Sequence, residues 1–224
     1  MAYGENRQIA FGDVMAGTFA QLRQNWRSVL IYLAAMGAIN AVTTGLASLS
    51  PVLEGVFGVA TVFAGFAAQY LLFRVMLRQG GQMGGDARFK YFQFIGMAII
   101  VLFAVMFGYV LLVIPGLIIG SRWLAAPCYL IATDRGTFGS LGASWEAVGG
   151  RTTPIAFAAL VIIIGGAVLL GAVGGVIGQV TGGALAQLQV SLGLQIFWAV
   201  MIAFSVGVFG LINDDKDAIA EVFA

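Results

Sequence analysis

The chain has 224 residues, of which 60% are hydrophobic and 9% charged, against about 45–50% apolar and about 25% charged in an ordinary soluble domain. This composition excludes a water-soluble monomer and requires a membrane protein, while 32 glycines beside only 4 prolines exclude collagen-like and Pro-rich disordered chains. Eleven Lys and Arg against ten Asp and Glu leave a net charge of +1, too weak a positive field to hold a nucleic-acid backbone, so no nucleic-acid partner is expected.

The first predicted element is an amphipathic segment over 9–28. Phe11, Met15, Phe19, Leu22 and Trp26 recur at helical spacing, with Asp13, Gln21, Arg23, Gln24 and Arg27 around the rest of the helix, which predicts a helix lying in the headgroup layer. A membrane-crossing helix takes about 20 mostly apolar residues, and the first such run covers 29–49, ending at Ser50-Pro51. It is expected to stay attached, because a cleaved signal has an apolar stretch of only about 7–15 residues and a small-residue cleavage site that is missing here. The second run, 52–76, follows a very short turn and leads into Arg74 and Arg78. Next comes a basic, aromatic interfacial segment at 86–94, centred on Arg88-Phe89-Lys90-Tyr91-Phe92, and then the third run, 95–114. Pro115-Gly116 is expected to break it from the fourth, 117–133, because Pro lacks an amide donor and Gly frees the backbone. A further amphipathic segment at 137–150 sets Phe138, Leu141, Trp145 and Val148 on one face, with Thr137 as its N-cap. The fifth and sixth runs, 154–180 and 188–213, flank a turn at Thr181-Gly182-Gly183, and the acidic end with Asp214, Asp215 and Asp217 reads as a solvated terminus.

Lys and Arg beside membrane spans stay on the cytoplasmic side, and here they occupy alternate connections only. Arg7, Arg23 and Arg27 precede the first run, Arg74, Arg78, Arg88 and Lys90 lie between the second and third, Arg135 and Arg151 between the fourth and fifth, and Lys216 after the sixth. Six spans with both termini in the cytoplasm place all of them correctly, whereas merging the third and fourth runs strands Arg135 and Arg151 outside. The predicted fold is an all-α integral membrane protein, a single polytopic domain over 1–224. Its six transmembrane helices form three hairpins, each preceded by a cytoplasmic interfacial segment.

Within the fourth run, Arg122 carries a charge that costs about 2.5–3.5 kcal/mol at the centre of a span, so it requires a partner. Glu54, entering the second run from the same outer side, is the expected one, with Asn40 and Gln69 deeper along their spans. The pair reads as structural, ahead of a substrate-binding arginine. In the fifth run Gly171 and Gly175, and on the adjoining stripe Gly174, Gly178 and Gly182, recur every four residues, which predicts close helix packing, within the chain ahead of between copies. The aromatic and basic residues at the headgroup boundary read as anchors ahead of selective lipid contacts. Phe92, Phe94, Phe103 and Phe107 read as packing.

Histidine is absent and Cys128 is the only cysteine. An intrachain disulfide, Ser-His-Asp and Cys-His sites, and His-ligated zinc or haem are therefore excluded. No catalytic, metal-binding or cofactor-binding residue is expected.

The stretch Val113-Ile114-Pro115-Gly116-Leu117-Ile118-Ile119-Gly120-Ser121-Arg122-Trp123-Leu124-Ala125-Ala126-Pro127, read with Ser144-Trp145-Glu146-Ala147-Val148-Gly149-Gly150-Arg151, resembles the bacterial membrane domain associated with glycerophosphoryl diester phosphodiesterases. That family shows an I-P-G stretch leading to an arginine, then S-W-x-x-V-x-G-R before the next span. Asp134-Arg135 stands where the family more often has a glutamate and a glycine. Stand-alone members lack the phosphodiesterase barrel, so nothing of its metal or acid/base residues carries over. The resemblance implies that Pro115, Gly116, Arg122, Ser144, Trp145, Gly149 and Arg151, with Trp123 beside the arginine, are architectural: a kink, a buried charge and an interfacial elbow.

The expected function is contact without catalysis, as an accessory or structural subunit of a membrane complex or as a lipid-associated module in the bacterial cytoplasmic membrane. Its partners would be membrane lipids, another membrane protein or further copies of the chain. A small transporter or channel for a lipid or small molecule is the alternative, resting on Arg122, Asn40, Gln69 and the Pro115-Gly116 break. A membrane-embedded lipid enzyme is disfavoured by the scatter of Asp86, Asp134 and Glu146.

Overall fold

The computed structural model describes the backbone of residues 9–47, 49–83, 88–181 and 183–222, and the side-chain surroundings of all of these except 47, 51, 173–188 and 214–222. The described residues form helices and no strand: α1 (Phe11–Gln24), α2 (Trp26–Ala47), α3 (Pro51–Gln79), α4 (Tyr91–Leu111), α5 (Val113–Arg122), α6 (Ala126–Ala132), α7 (Thr137–Val148), α8 (Thr152–Thr181) and α9 (Gly183–Val222). Six segments are long and apolar enough to cross a membrane: Trp26–Leu46, Val52–Gln79, Tyr91–Leu111, Val113–Ala132, Thr152–Ala172 and Gln189–Asn213. The chain is thus an all-helical, six-span protein in which α2/α3, α4/α5 and α8/α9 pair as hairpins.

Local chemistry explains where the hairpins turn. Ser50 caps α3 by accepting the Val52 N–H on its hydroxyl, with Pro51 in the first turn, where a missing amide costs nothing. Between α4 and α5 the break falls at Leu112, in extended backbone (φ −165°, ψ 142°), and not at Pro115-Gly116. Pro115 sits in the first turn of α5, whose N–H groups have no intrahelical acceptor to lose. Gly116 serves close approach instead: a Cβ there would lie 2.8 Å from the backbone nitrogen of Tyr109, and one on Gly108 would lie 2.8 Å from the Gly116 Cα. The fourth span is itself broken, since α5 stops at Arg122, residues 123–125 turn, and α6 resumes at Ala126 with Pro127 in its first turn.

The interfacial segments differ from one another. Helix α1 rests on the bundle with only part of its apolar stripe: Phe11, Met15 and Leu22 are half-buried and pack against the two core clusters, Phe11 edge-on to Phe157. Val14 and Thr18 are buried, while Phe19 is 62% exposed and Trp26, now the first residue of α2, is 53% exposed. Gly17 faces Gly207 of α9, so the small side of α1 packs because small residues allow the axes to approach. In α7, Ser140, Ser144, Leu141 and Val148 are buried and Phe138 is 77% exposed. Gly136, not Thr137, occupies the N-cap position, and the Thr137 hydroxyl turns to the Gln93 carbonyl. The segment 86–94 is not a helix of its own: 86 and 87 lie outside the described residues, 88–90 are non-helical, and α4 starts at Tyr91. Its Lys90 ammonium donates to the carbonyls of Thr133 and Arg135, both at 2.9 Å, with Asp134 at 3.8 Å, and so holds the end of α6.

Fully buried residues gather in the half of the bundle that carries the arginines. One cluster joins α2, α3, α4, α6, α7 and α9 around Tyr70, Met76, Leu77, Leu130 and Phe209. A second joins α1, α8 and α9 around Val14, Ile155, Phe204 and Ile212. In the other half, Leu49, Val52, Val110, Leu112, Val168 and Leu169 are exposed, as lipid-facing side chains must be. Of the expected glycine stripe of the fifth span, Gly171 alone has described surroundings, and the α8–α9 contact among the described residues is made at other glycines. Gly171 has nothing within 4 Å of a Cβ, whereas Gly166 receives the Phe197 ring and Gly193 receives Leu170. The surroundings of Gly174, Gly175 and Gly178, and Gly182 altogether, lie outside the described residues. Asp214, Asp215 and Asp217 fall on the helical continuation of α9.

Candidate functional site

Where the three hairpins diverge they enclose a cavity of about 640 Å³, within the roughly 300–1,000 Å³ of small-molecule sites. Its wall is apolar, built from residues such as Met36, Phe66, Phe73, Phe94, Met97 and Ile202 on four of the spans. The broken fourth span contributes Leu117, Gly120, Ser121, Trp123, Leu124 and Pro127. Val62, Leu102 and Trp198 line it and are also about half exposed, so it opens between hairpins toward the apolar surface.

No Asp, Glu, Lys or Arg lines this cavity; its polar residues are Thr61, Gln69, Tyr109, Ser121, Gln195 and Ser205. Three of them are already engaged. Ser121 donates to the Leu117 carbonyl and Ser205 to the Leu124 carbonyl, each at 2.6 Å, and Thr61 meets the Thr43 hydroxyl at 2.7 Å. The Tyr32 hydroxyl donates to Oε1 of Gln195, which leaves the Gln195 amide nitrogen as an unspent donor. The Gln69 side chain makes no hydrogen bond to any described residue. Gln69 is one of the few polar groups that the sequence places inside a span, whereas Gln195 and Tyr32 stand out only in the structure. For Gln69 the signal is in the sequence, since a carboxamide in an otherwise apolar span is expensive without a partner. Asn40, by contrast, is spent on the Met36 carbonyl one turn back, at 2.8 Å.

The expected Arg122–Glu54 pair does not form. Glu54 is exposed in the first turn of α3, beside a hairpin turn. Arg122 ends α5, and the turn at 123–125 directs it to the α7–α8 elbow, where its Nε donates to the Thr152 hydroxyl at 3.2 Å and its guanidinium lies 4.7 Å from the centre of the Trp145 ring. Ser144 donates to the Arg122 carbonyl at 2.7 Å, and the Trp123 and Trp145 rings stand 6.0 Å apart. The two motifs singled out in the sequence thus pack against each other. The elbow between them needs its glycines: Gly150 adopts φ +78°, and a Cβ on Gly149 would lie 2.9 Å from the Glu146 carbonyl. The Arg151 N–H closes the elbow by donating to Val148 at 3.0 Å. A shallow apolar groove of about 400 Å³ runs beside the tryptophans, edged by Phe138 and Glu146.

Among the described residues no three His, Cys, Asp or Glu side chains come together as metal ligands. Compared with known proteins, the chain matches no family model, no curated protein and no solved structure.

Proposed function

We propose that the chain is a non-catalytic multi-pass protein of the bacterial cytoplasmic membrane that takes one hydrophobic molecule from the bilayer into the cavity between its hairpins. The observation that carries this reading is the cavity itself: about 640 Å³ in volume, walled by apolar side chains and open toward the lipid-facing surface. A space of that size with apolar walls and an opening to the bilayer disfavours water and suits a hydrophobic occupant. The absence of acid, base and metal ligands from the lining argues for binding without chemistry. Alternate connections rich in Lys and Arg favour cytoplasmic termini, and the resemblance to the membrane domain associated with glycerophosphoryl diester phosphodiesterases favours a bacterial inner-membrane setting. Arg122, Trp123, Ser144, Trp145 and Arg151 serve this reading as the brace that holds the broken fourth span against the cavity.

Transport is a second reading, favoured by one observation: the broken span lines the cavity, as discontinuous helices line the sites of many transporters. The accessory-subunit reading requires a partner protein on the exposed apolar faces.

The test is gentle purification from native membranes followed by native mass spectrometry of wild type and Ala98→Phe, a substitution that fills the cavity from α4. Wild type should retain one small hydrophobic molecule per chain, and Ala98→Phe should lose it while melting within a few degrees of wild type. Wild type without any retained molecule, or Ala98→Phe retaining it, would count against the reading.

A further inference from the structure

The cavity also selects the chemistry of what enters it. This step rests on the binding function proposed above and concerns the polar end of the ligand. We infer that the occupant is an uncharged long-chain carbonyl compound, whose oxygen accepts hydrogen bonds from the amide groups of Gln195 and Gln69.

The argument starts from depth. Met36 of α2 packs against Gly65 of α3. In this antiparallel pair Tyr32, one turn before Met36, comes level with Gln69, one turn after Gly65. Tyr32 in turn holds Oε1 of Gln195 on α9. The two carboxamides therefore stand within about a turn of the same depth on two helices of one cavity. That depth is six residues into α2 from Trp26, on the side of the packed, arginine-bearing half. A ligand whose polar end is held there has its chain along the apolar walls, which reach the gap between hairpins at Val62, Leu102 and Trp198.

Charge follows from the lining. A carboxylate or phosphate at this depth would meet no Lys or Arg on the cavity wall, and an unpaired charge away from water is strongly disfavoured. Arg122 is turned away to Thr152 and Trp145. With Tyr32 donating to the Gln195 oxygen, the Gln195 NH2 and the Gln69 NH2 both remain free to donate, so a ligand acceptor can take a hydrogen bond from each. A carbonyl meets that requirement without charge. An alkane satisfies the walls and leaves the donors unmet, which costs a buried amide its hydrogen bond.

The experiment uses the full chain in lipid nanodiscs and follows quenching of Trp123 and Trp198, which line the cavity. Three ligands of equal chain length, each carrying the same quenching group at its far end, are compared: a methyl ketone, an alkane, and a fatty acid at a pH where it is fully ionised. The ketone should bind about tenfold more tightly than the alkane, the worth of one or two neutral hydrogen bonds, and the ionised acid should bind weakest. In Gln69→Met with Gln195→Met the ketone should fall to the affinity of the alkane, and the alkane should bind as in wild type. Wild type binding alkane and ketone equally, or the ionised acid as tightly as the ketone, overturns the carbonyl inference and leaves the hydrophobic site standing. Wild type, folded by its thermal melt, binding none of the three overturns both. These wild-type comparisons decide the matter even if the double variant fails to fold.

Discussion

Along α9, every residue from 202 to 210 is buried, whereas Val190, Leu192, Leu194, Ile196 and Trp198, a few turns earlier on the same helix, are each 42–51% exposed. Hydrophobicity does not separate the two stretches, since both are apolar. Neighbours do. The buried stretch is ringed by α1 at Gly17, by α6 at Tyr129, by α8 at Ile155 and by the loop after α3 at Gln82. The earlier stretch has α2 and α8 on some sides, and the cavity and lipid on the others. In a bilayer no hydrophobic force drives helices together, so association depends on close packing and polar contacts. The half in which α1, α6, α7 and the loop after α3 close around α9 is packed on every side. In the other half the contacts are made within hairpins, as at Gly108 with Gly116 and Gly166 with Phe197, and the space left between hairpins is the cavity.

Substitutions can break this contrast, beginning with the largest expected effect. A Cβ on Gly207 would lie 3.0 Å from the carbonyl carbon of Gly17, so Gly207→Leu must push α1 off α9. A loss of about 3 kcal/mol is expected, read as a large drop in melting temperature in detergent. Arg122→Met removes the Thr152 hydrogen bond and the contact with the Trp145 ring, at about 2 kcal/mol. Arg122→Lys should recover only part of it, because an ammonium lacks the planar fork, and Glu54→Gln should leave the melting temperature unchanged. Lys90→Met frees the Thr133 and Arg135 carbonyls and should cost about 1 kcal/mol, with faster amide exchange in α6 as the local readout. In the diverging half, Gly171 has open space around it, so Gly171→Leu should change stability by no more than about 0.5 kcal/mol, with helix propensity favouring leucine. A drop as large as that of Gly207→Leu would show that the open half packs tightly as well.

Helix faces in a bilayer are harder to read from sequence than helix spans. Of the apolar stripe Phe11, Met15, Phe19, Leu22 and Trp26, the first, second and fourth pack against the core clusters while Phe19 and Trp26 face outward, and the fully buried positions of α1 are Val14 and Thr18, beside Gly17. Large apolar residues mark a buried face only where the alternative is water. Beside lipid they mark the outside equally well. Gly166 and Gly193, which accept Phe197 and Leu170, belong to no four-residue stripe, so a repeat search misses them. Arg122 was recognised as needing a partner, but the partner is an aromatic ring and a hydroxyl some 20 to 30 residues onward, contacts that leave no charge pattern to read.

The sequence alone determined the class, the six spans, their pairing into hairpins and the gathering of basic residues at alternate connections. These follow from composition, from runs set by bilayer thickness, and from the cost of charge in hydrocarbon. Tertiary structure decided which helix faces meet, where the fourth span breaks, what Arg122 touches, and that Gln69 and Gln195 share one cavity. Each of these depends on the relative rotation and crossing of helices whose faces are chemically alike, and only the shapes of particular side chains choose among them.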